Sequence, residues 1–450
     1  MDVSGGLYVE VLRGSSSDAL RMTGLGGVEL SPFAEHFLMR IAAQKRRQDR
    51  RTPKGARVLR AMNRLGIYVQ VPFCQTKCTY CNFHTGVVSS ARFAPYVQCV
   101  CEEIGRHREL YAAARVNLPT GITDAVVDTI YIGGGTPSLL DAGHLRRIVD
   151  AIRDNFVAEL TEVTLEADPE TVTAEKAAAW VAAGINRVSF GVQSFCDEEL
   201  QAAGRMHRRA DVYRAAAILR GAGIANISFD LIAGLPKQTR ESWRESLDSL
   251  VELAPEHVSI YLLEVDEGSR LGSELLRGGN RYSAGDVPDD DEMAEFYETG
   301  CSVLGAAGYQ HYEISNWAKP GFASRHNLKY WRREPYLGFG AGAHSFSGTE
   351  RWANAHDAAG YVNAVTAGRL PVEQHEVLTA EGALQEELFL GLRQLEGIDV
   401  ARIEREYGVS LDSRFARLTS AGLIEREGSL VRLAPGRVSV SNEVFVELMK

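Results

Sequence analysis

The chain has 450 residues, 45% apolar and 24% charged, with 14 prolines, an ordinary globular composition that excludes collagenous, mucin-like and disordered classes. Its net charge of −10 argues against general affinity for nucleic-acid backbones or anionic lipid, and no run of about 18 apolar residues is present to span a membrane. The first residues lack a secretory signal pattern, and seven cysteines are too few, and odd in number, for a secreted disulfide framework, so a reducing cytoplasm is the expected location.

Residues 1–61 carry 11 Lys and Arg against 6 Asp and Glu, a surplus of +5, whereas the remainder carries 38 against 53. The apolar residues of this stretch sit in one short cluster, Phe33, Phe37, Leu38 and Ile41, ahead of basic sequence broken by Pro53 and Gly55. A weakly ordered extension over 1–65 is expected, with residues 1–61 dispensable for cofactor binding. The competing reading is an amphipathic arm over 32–44 that shields the body of the protein.

From residue 67 to about 265, β-rich runs alternate with helical patterns. The expected strands are Ile67–Pro72, Val127–Ile132, Glu162–Ala167, Arg187–Val192, Asn226–Ile232 and His257–Leu263. The expected helices are Ala91–Arg115, Ala142–Phe156, Ala174–Ala183, Asp211–Ala222 and Arg240–Leu253. Six strand-helix alternations imply an α/β fold, a partial (βα)6 barrel of parallel strands over 66–300, and several strands read as near-continuous apolar runs. Cysteines, the Gly133-Gly134-Gly135-Thr136-Pro137 turn, Glu166, Asp168, Gln193, Asp230 and Glu264 all fall at strand carboxyl ends, where barrel folds build their sites.

Past residue 300, Tyr309–Trp317 reads as a single strand within a connecting region over 301–375. From 376 to 450, three helical segments (Glu381–Gln394, Val400–Tyr407, Leu411–Ala421) precede two β runs (Leu423–Arg426, Leu430–Leu433). That pattern suggests an α+β, winged-helix-like module. Its third helix has no concentrated basic face, so packing or protein contact is expected rather than nucleic-acid binding.

Three cysteines fall on one loop after the first strand, as Cys74-x3-Cys78-x2-Cys81, while Cys99, Cys101, Cys196 and Cys301 are scattered. A structural zinc site would need a fourth ligand, and only His84 is near. Three thiolates also suit a [4Fe-4S] cluster with one iron left open to a ligand.

This cluster, with Tyr80 before its last cysteine, resembles the radical S-adenosylmethionine (SAM) signature, in which SAM chelates the open iron and is reductively cleaved to a 5′-deoxyadenosyl radical. Tyr68 to Cys74, Gly133 to Ser138, Gly191 to Phe195 and Asp230 to Pro236 resemble the oxygen-independent coproporphyrinogen III oxidase family, and His326-Asn327-x-x-Tyr330-Trp331 resembles the motif of its heme-chaperone branch, the HemW-like proteins. The likeness runs from about residue 66 to 450. It implies Cys74, Cys78 and Cys81 as cluster ligands, and Tyr68, Tyr80, Gly134, Gly135, Thr136, Glu166, Gln193, Arg205 and Asp230 as SAM contacts. For heme it implies His326, Asn327, Tyr330 and Trp331, with His344 as an additional candidate. On the residues alone, the glycine triplet is compatible with a tight turn, Glu166, Arg205 and Asp230 with a buried salt-bridge set, and His326 with ordinary packing.

Phe83 stands where the decarboxylating oxidases carry a further cysteine, and residues 1–66 lack their P-R-Y-T-S-Y-P-like segment. The resemblance therefore implies a chaperone that binds heme and delivers it to apo-hemoproteins, served by a cluster, SAM and an electron donor. A radical SAM enzyme acting on a tetrapyrrole and a binding module with a structural cluster are the alternatives, and a homodimer stays open.

Overall fold

The computed structural model describes residues 64–449 except 84, 115, 117, 119–121, 123 and 124. The arm over 32–44, almost all of the N-terminal extension, and His84 lie outside the described residues.

The six expected strands all form, as β1 (Arg64–Val71), β2 (Val126–Gly134), β3 (Ala158–Ala167), β4 (Arg187–Gln193), β5 (Asn226–Ala233) and β6 (His257–Leu262). They pair in parallel and in chain order. The connecting helices are α1 (Phe93–Ala113), α2 (Ala142–Asn155), α3 (Ala174–Ala183), α4 (Arg209–Gly221) and α5 (Arg240–Leu253). Local chemistry sets their ends: Thr173 accepts the Lys176 amide at the start of α3, and Gly184, at φ +93°, ends it.

β1 and β6 do not pair with each other, so the barrel stays open. β1 pairs in parallel with β9 (Tyr336–Phe339), and β6 pairs antiparallel with β8 (Asn316–Ala318). With β7 (Gln310–Glu313), β10 (His344–Phe346), β11 (Glu350–Asn354) and β12 (Val372–Val377), one sheet of twelve strands results. Residues expected to connect two units thus extend both edges of the barrel sheet. The single strand expected over Tyr309–Trp317 is a hairpin instead, because the Glu313 carboxylate accepts the Ser315 amide and turns the chain.

The outer faces of the strands carry Ile130, Ile132, Val163, Leu165, Val188 and Phe190, all buried in the hydrophobic core. The inner faces are polar: Tyr131 on β2, Glu162, Thr164 and Glu166 on β3, Arg187 and Ser189 on β4, Ser228 and Asp230 on β5, and His257 and Ser259 on β6. Strands that read as near-continuous apolar runs are therefore two-sided, because side chains alternate across the sheet and only the outer face meets helices.

A short helix, α6 (Arg325–Trp331), packs on this inner face. Glu162 of β3 accepts the Arg325 and His326 amides, each at 3.0 Å, which places a carboxylate on the helix N-terminus. The expected C-terminal helices form as Ala380–Arg393, Val400–Tyr407 and Asp412–Ser420. The wing has three strands rather than two, since Ile398–Asp399 pairs with Leu430–Leu433 beside Ile424–Glu427, and a closing helix follows at Ser441–Leu448. Buried charge pairs tie this module to the barrel sheet: Arg393 to Glu313 at 2.7 Å and Arg351 to Glu386 at 2.7 Å.

Candidate functional site

One cavity of about 230 Å³ opens at the carboxyl ends of the six strands and runs inward to α6. Cys74, Cys78 and Cys81 line it, none of them in a disulfide. The loop is pinned from several sides. Thr79 N donates to Ala203 O (3.0 Å), Arg205 Nη1 donates to Cys78 Sγ (3.5 Å), and Asn82 Nδ2 donates to the carboxylates of Glu264 (3.1 Å) and Asp266 (3.2 Å). Burial pushes the Cys74 thiol up to about 11, so a strong local cation is needed to draw it to the thiolate form.

The glycine triplet has a packing reason. A Cβ on Gly135 would lie 2.5 Å from Phe73 O and 3.0 Å from Cys74 Sγ, and Gly134 sits at φ +112°. The turn is therefore pressed against the cysteine loop, and any side chain there would push the two apart.

Of the nine residues expected to contact SAM, eight line the cavity. Glu166 accepts the Gly134 amide and the Tyr131 hydroxyl, both at 2.8 Å, and burial lifts its carboxyl to about 7. Arg205 pairs with Asp168 and donates to Gly191 O at 2.8 Å. Thr136 donates to the other Asp168 oxygen at 3.0 Å. Ser189 donates to Asp230 (3.3 Å), whose carboxyl burial also raises. Glu166, Arg205 and Asp230 do not form one salt-bridge set: Arg205 takes Asp168, and the two other carboxyls face the cavity separately. Gln193 lines the same wall at φ +65°. Tyr68 is the exception. It stacks behind Tyr131 with ring centroids 6.0 Å apart and donates to Gln70 at 2.5 Å.

The His326 motif is placed differently from an exposed heme pocket. His326 is 1% exposed, with Nδ1 hydrogen-bonded to Thr129 (2.9 Å) and Nε2 to the Tyr330 hydroxyl (2.8 Å). Burial holds its pKa down at about 3. No ring nitrogen is left for iron, so the expected heme ligand does not fit in this structure. Tyr330 packs edge-to-face on Tyr336 at 4.6 Å, and Trp331 lies under the Arg393 guanidinium at 4.4 Å. Of the four motif residues only Asn327 lines the cavity. His344 lies apart from it, 6.4 Å from His356 between ring centroids.

Asp168, Arg187, Ser189, His257 and Ser259 also line the cavity and were absent from the expected contacts. Polar residues at every second position, as in Arg187-x-Ser189 and His257-x-Ser259, were the signal that points them inward.

The family model of the radical SAM superfamily matches residues 68–250, and that of the HemN C-terminal domain matches 378–435. The chain is 36% identical over 384 residues to heme chaperone HemW of Bacillus subtilis, covering 84% of this chain and 97% of that protein. It is likewise 36% identical over 381 residues to heme chaperone HemW of Mycobacterium tuberculosis (strain H37Rv), covering 83% and 92%. The chain belongs to the HemW family. Coproporphyrinogen III oxidase (HemN) of Escherichia coli shares its fold, with a TM-score of 0.74 at 22% identity over 86% of this chain and 90% of that one.

Membership of the radical SAM superfamily carries a [4Fe-4S] cluster and SAM with it. The cavity of this HemW-family chain suits both groups. Three unpaired cysteines share one loop, a glycine turn leaves no side chain over that loop, and carboxyls and an arginine line the adjoining wall. Among the described residues, no helix is long and apolar enough to cross a membrane.

Proposed function

We propose that this protein is a heme chaperone that binds heme and hands it to apo-hemoproteins. The observation that carries this reading is near full-length similarity to proteins named heme chaperone HemW, including 97% of the Bacillus subtilis protein. Phe83, in place of the additional cysteine of the decarboxylating oxidases, supports the same branch.

Cys74, Cys78 and Cys81 would hold the cluster. Tyr80, Gly134, Gly135, Thr136, Glu166, Gln193, Arg205 and Asp230 would hold SAM, with Tyr68 supporting Tyr131 from behind. When bound, the two groups supply reductive SAM-cleavage chemistry. The protein's own part is to fix their setting. Asp168 fixes the Arg205 guanidinium beside Cys78, and the Gly134 amide and Tyr131 hydroxyl orient Glu166. His326, Tyr330 and Trp331 act as positioning residues that seat α6 against the barrel and the C-terminal module. Seven cysteines with no disulfide among them accord with a reducing cytoplasm.

The test is anaerobic reconstitution followed by heme titration and transfer to an apo-hemoprotein, read by the recipient's Soret band. Saturable binding and transfer are expected. Turnover of coproporphyrinogen III with no heme transfer would replace this reading with that of a tetrapyrrole-modifying enzyme.

A further inference from the structure

At the inner end of the cavity, Arg187 is 1% exposed and lines the wall, yet its Nε and Nη1 have no hydrogen-bond partner. No ion pair involves it among the described residues. Leaving a guanidinium buried without an acceptor is strongly unfavourable unless something else supplies one. Arg187 stands in register with Thr164 and Asn226, one inward-facing step below the Glu166–Ser189 pair. It therefore lies deeper than the carboxyls assigned to SAM.

Its surroundings narrow what can approach. Asp230, higher on β5 in register with Gly191, accepts from Ser189 and feels the Arg187 charge without forming an ion pair with it. His257 is hydrogen-bonded to Ser228 (2.8 Å) and Tyr312 (2.7 Å), and His326 to Thr129 and Tyr330. Asn327 of α6 is 7% exposed, lines the same cavity, and has an Oδ1 with no partner. Burial above all, and with it the charge of Arg187, works against protonation of both His257 and His326, keeping these imidazoles neutral.

We propose that Arg187 anchors a subsite at the base of the barrel, below the SAM position, that takes the carboxylate of a second small ligand. A planar guanidinium matches a carboxylate with two parallel N–H···O bonds. The carboxylate could be that of a small organic acid or the propionate arm of a porphyrin, and the test separates them. The inference does not depend on heme binding.

The experiment uses the full chain with its cluster reconstituted and SAM present. Binding of [1-13C]propionate, coproporphyrin III and inorganic phosphate is followed by NMR and by equilibrium titration. Wild-type protein should bind propionate saturably. Arg187→Gln should weaken binding at least tenfold, with Arg187→Lys intermediate. The melting temperature of each variant, measured alongside, guards against misfolding as an explanation. Binding of coproporphyrin III but not propionate, lost in Arg187→Gln, would assign the subsite to a porphyrin arm. Equal propionate binding by wild type and a folded Arg187→Gln, a preference for phosphate, or no anion binding at all would overturn the proposal. Heme titration of the same samples is a separate readout, so failure of the chaperone reading would leave this result standing.

Discussion

Removing the carboxylate of Glu162 should unseat α6. The Glu162 side chain, 4% exposed, accepts the amides of Arg325 and His326 at 3.0 Å each, and the Ser324 hydroxyl lies at the edge of reach at 3.5 Å. Glu162→Ala leaves two N–H groups at a buried helix start without an acceptor, each costing about 1–3 kcal/mol. Loss of the favourable charge at the helix N-terminus adds about 0.5 kcal/mol, and water entering the vacated space returns part of the loss. The expected net destabilisation is about 3 kcal/mol. Glu162→Gln keeps the shape and one acceptor oxygen, and should cost about 1 kcal/mol. Urea unfolding of the cluster-free protein, followed by circular dichroism, measures both through the shift in midpoint at constant slope. If Glu162→Ala unfolds within about 0.5 kcal/mol of wild type, the carboxylate does not seat the helix and the account of α6 is wrong.

Cys78→Ala should abolish cluster reconstitution as read by Mössbauer spectra, whereas replacing Cys99, Cys101, Cys196 or Cys301 by Ala should leave the cluster intact. Gly135→Ala should lose the cluster as well, because its Cβ would meet the Phe73 carbonyl at 2.5 Å; normal cluster absorption in that variant would show that the loop can give way. His326→Ala should leave the heme Soret band unchanged while lowering stability by about 2 kcal/mol through loss of two buried hydrogen bonds, and a shifted Soret band would return His326 to the iron. Glu103 is buried, accepts from Gly340 N, Asn354 and Tyr361, and has its carboxyl raised to about 7 by burial. The folded chain keeps this proton at pH values where the unfolded chain, with a pKa of about 4.3, releases it. The contribution of Glu103 to stability should therefore fall as pH rises from about 4 to 7, by up to about 3 kcal/mol, and the difference between wild type and Glu103→Gln should carry that slope; parallel pH profiles of the two proteins would refute the assignment.

Features carried by neighbouring residues were legible in the sequence. The three-cysteine loop, the glycine turn and the six strand-helix units each depend on spacing within a few residues, and the helix over Arg240–Leu253 forms with the expected ends. The strand-end location of Glu166, Gln193 and Asp230 followed from the same order, because parallel strands joined by helices must all present their carboxyl ends on one side. Tertiary structure alone decided the features that rest on distant partners. β9 and β8, of four and three residues, are too short to declare which barrel edge they join. His326 could be read as ligand or as core until Thr129, 197 residues away, and the Glu162 carboxylate closed around it. The alternation Arg187-x-Ser189 marks Arg187 as facing inward, but only the open curve of the sheet, with α6 across its base, gives that face a cavity and leaves the Arg187 Nε and Nη1 without a protein acceptor. Local pattern records which face of an element is polar; what that polar face meets depends on which elements the folded chain brings opposite it.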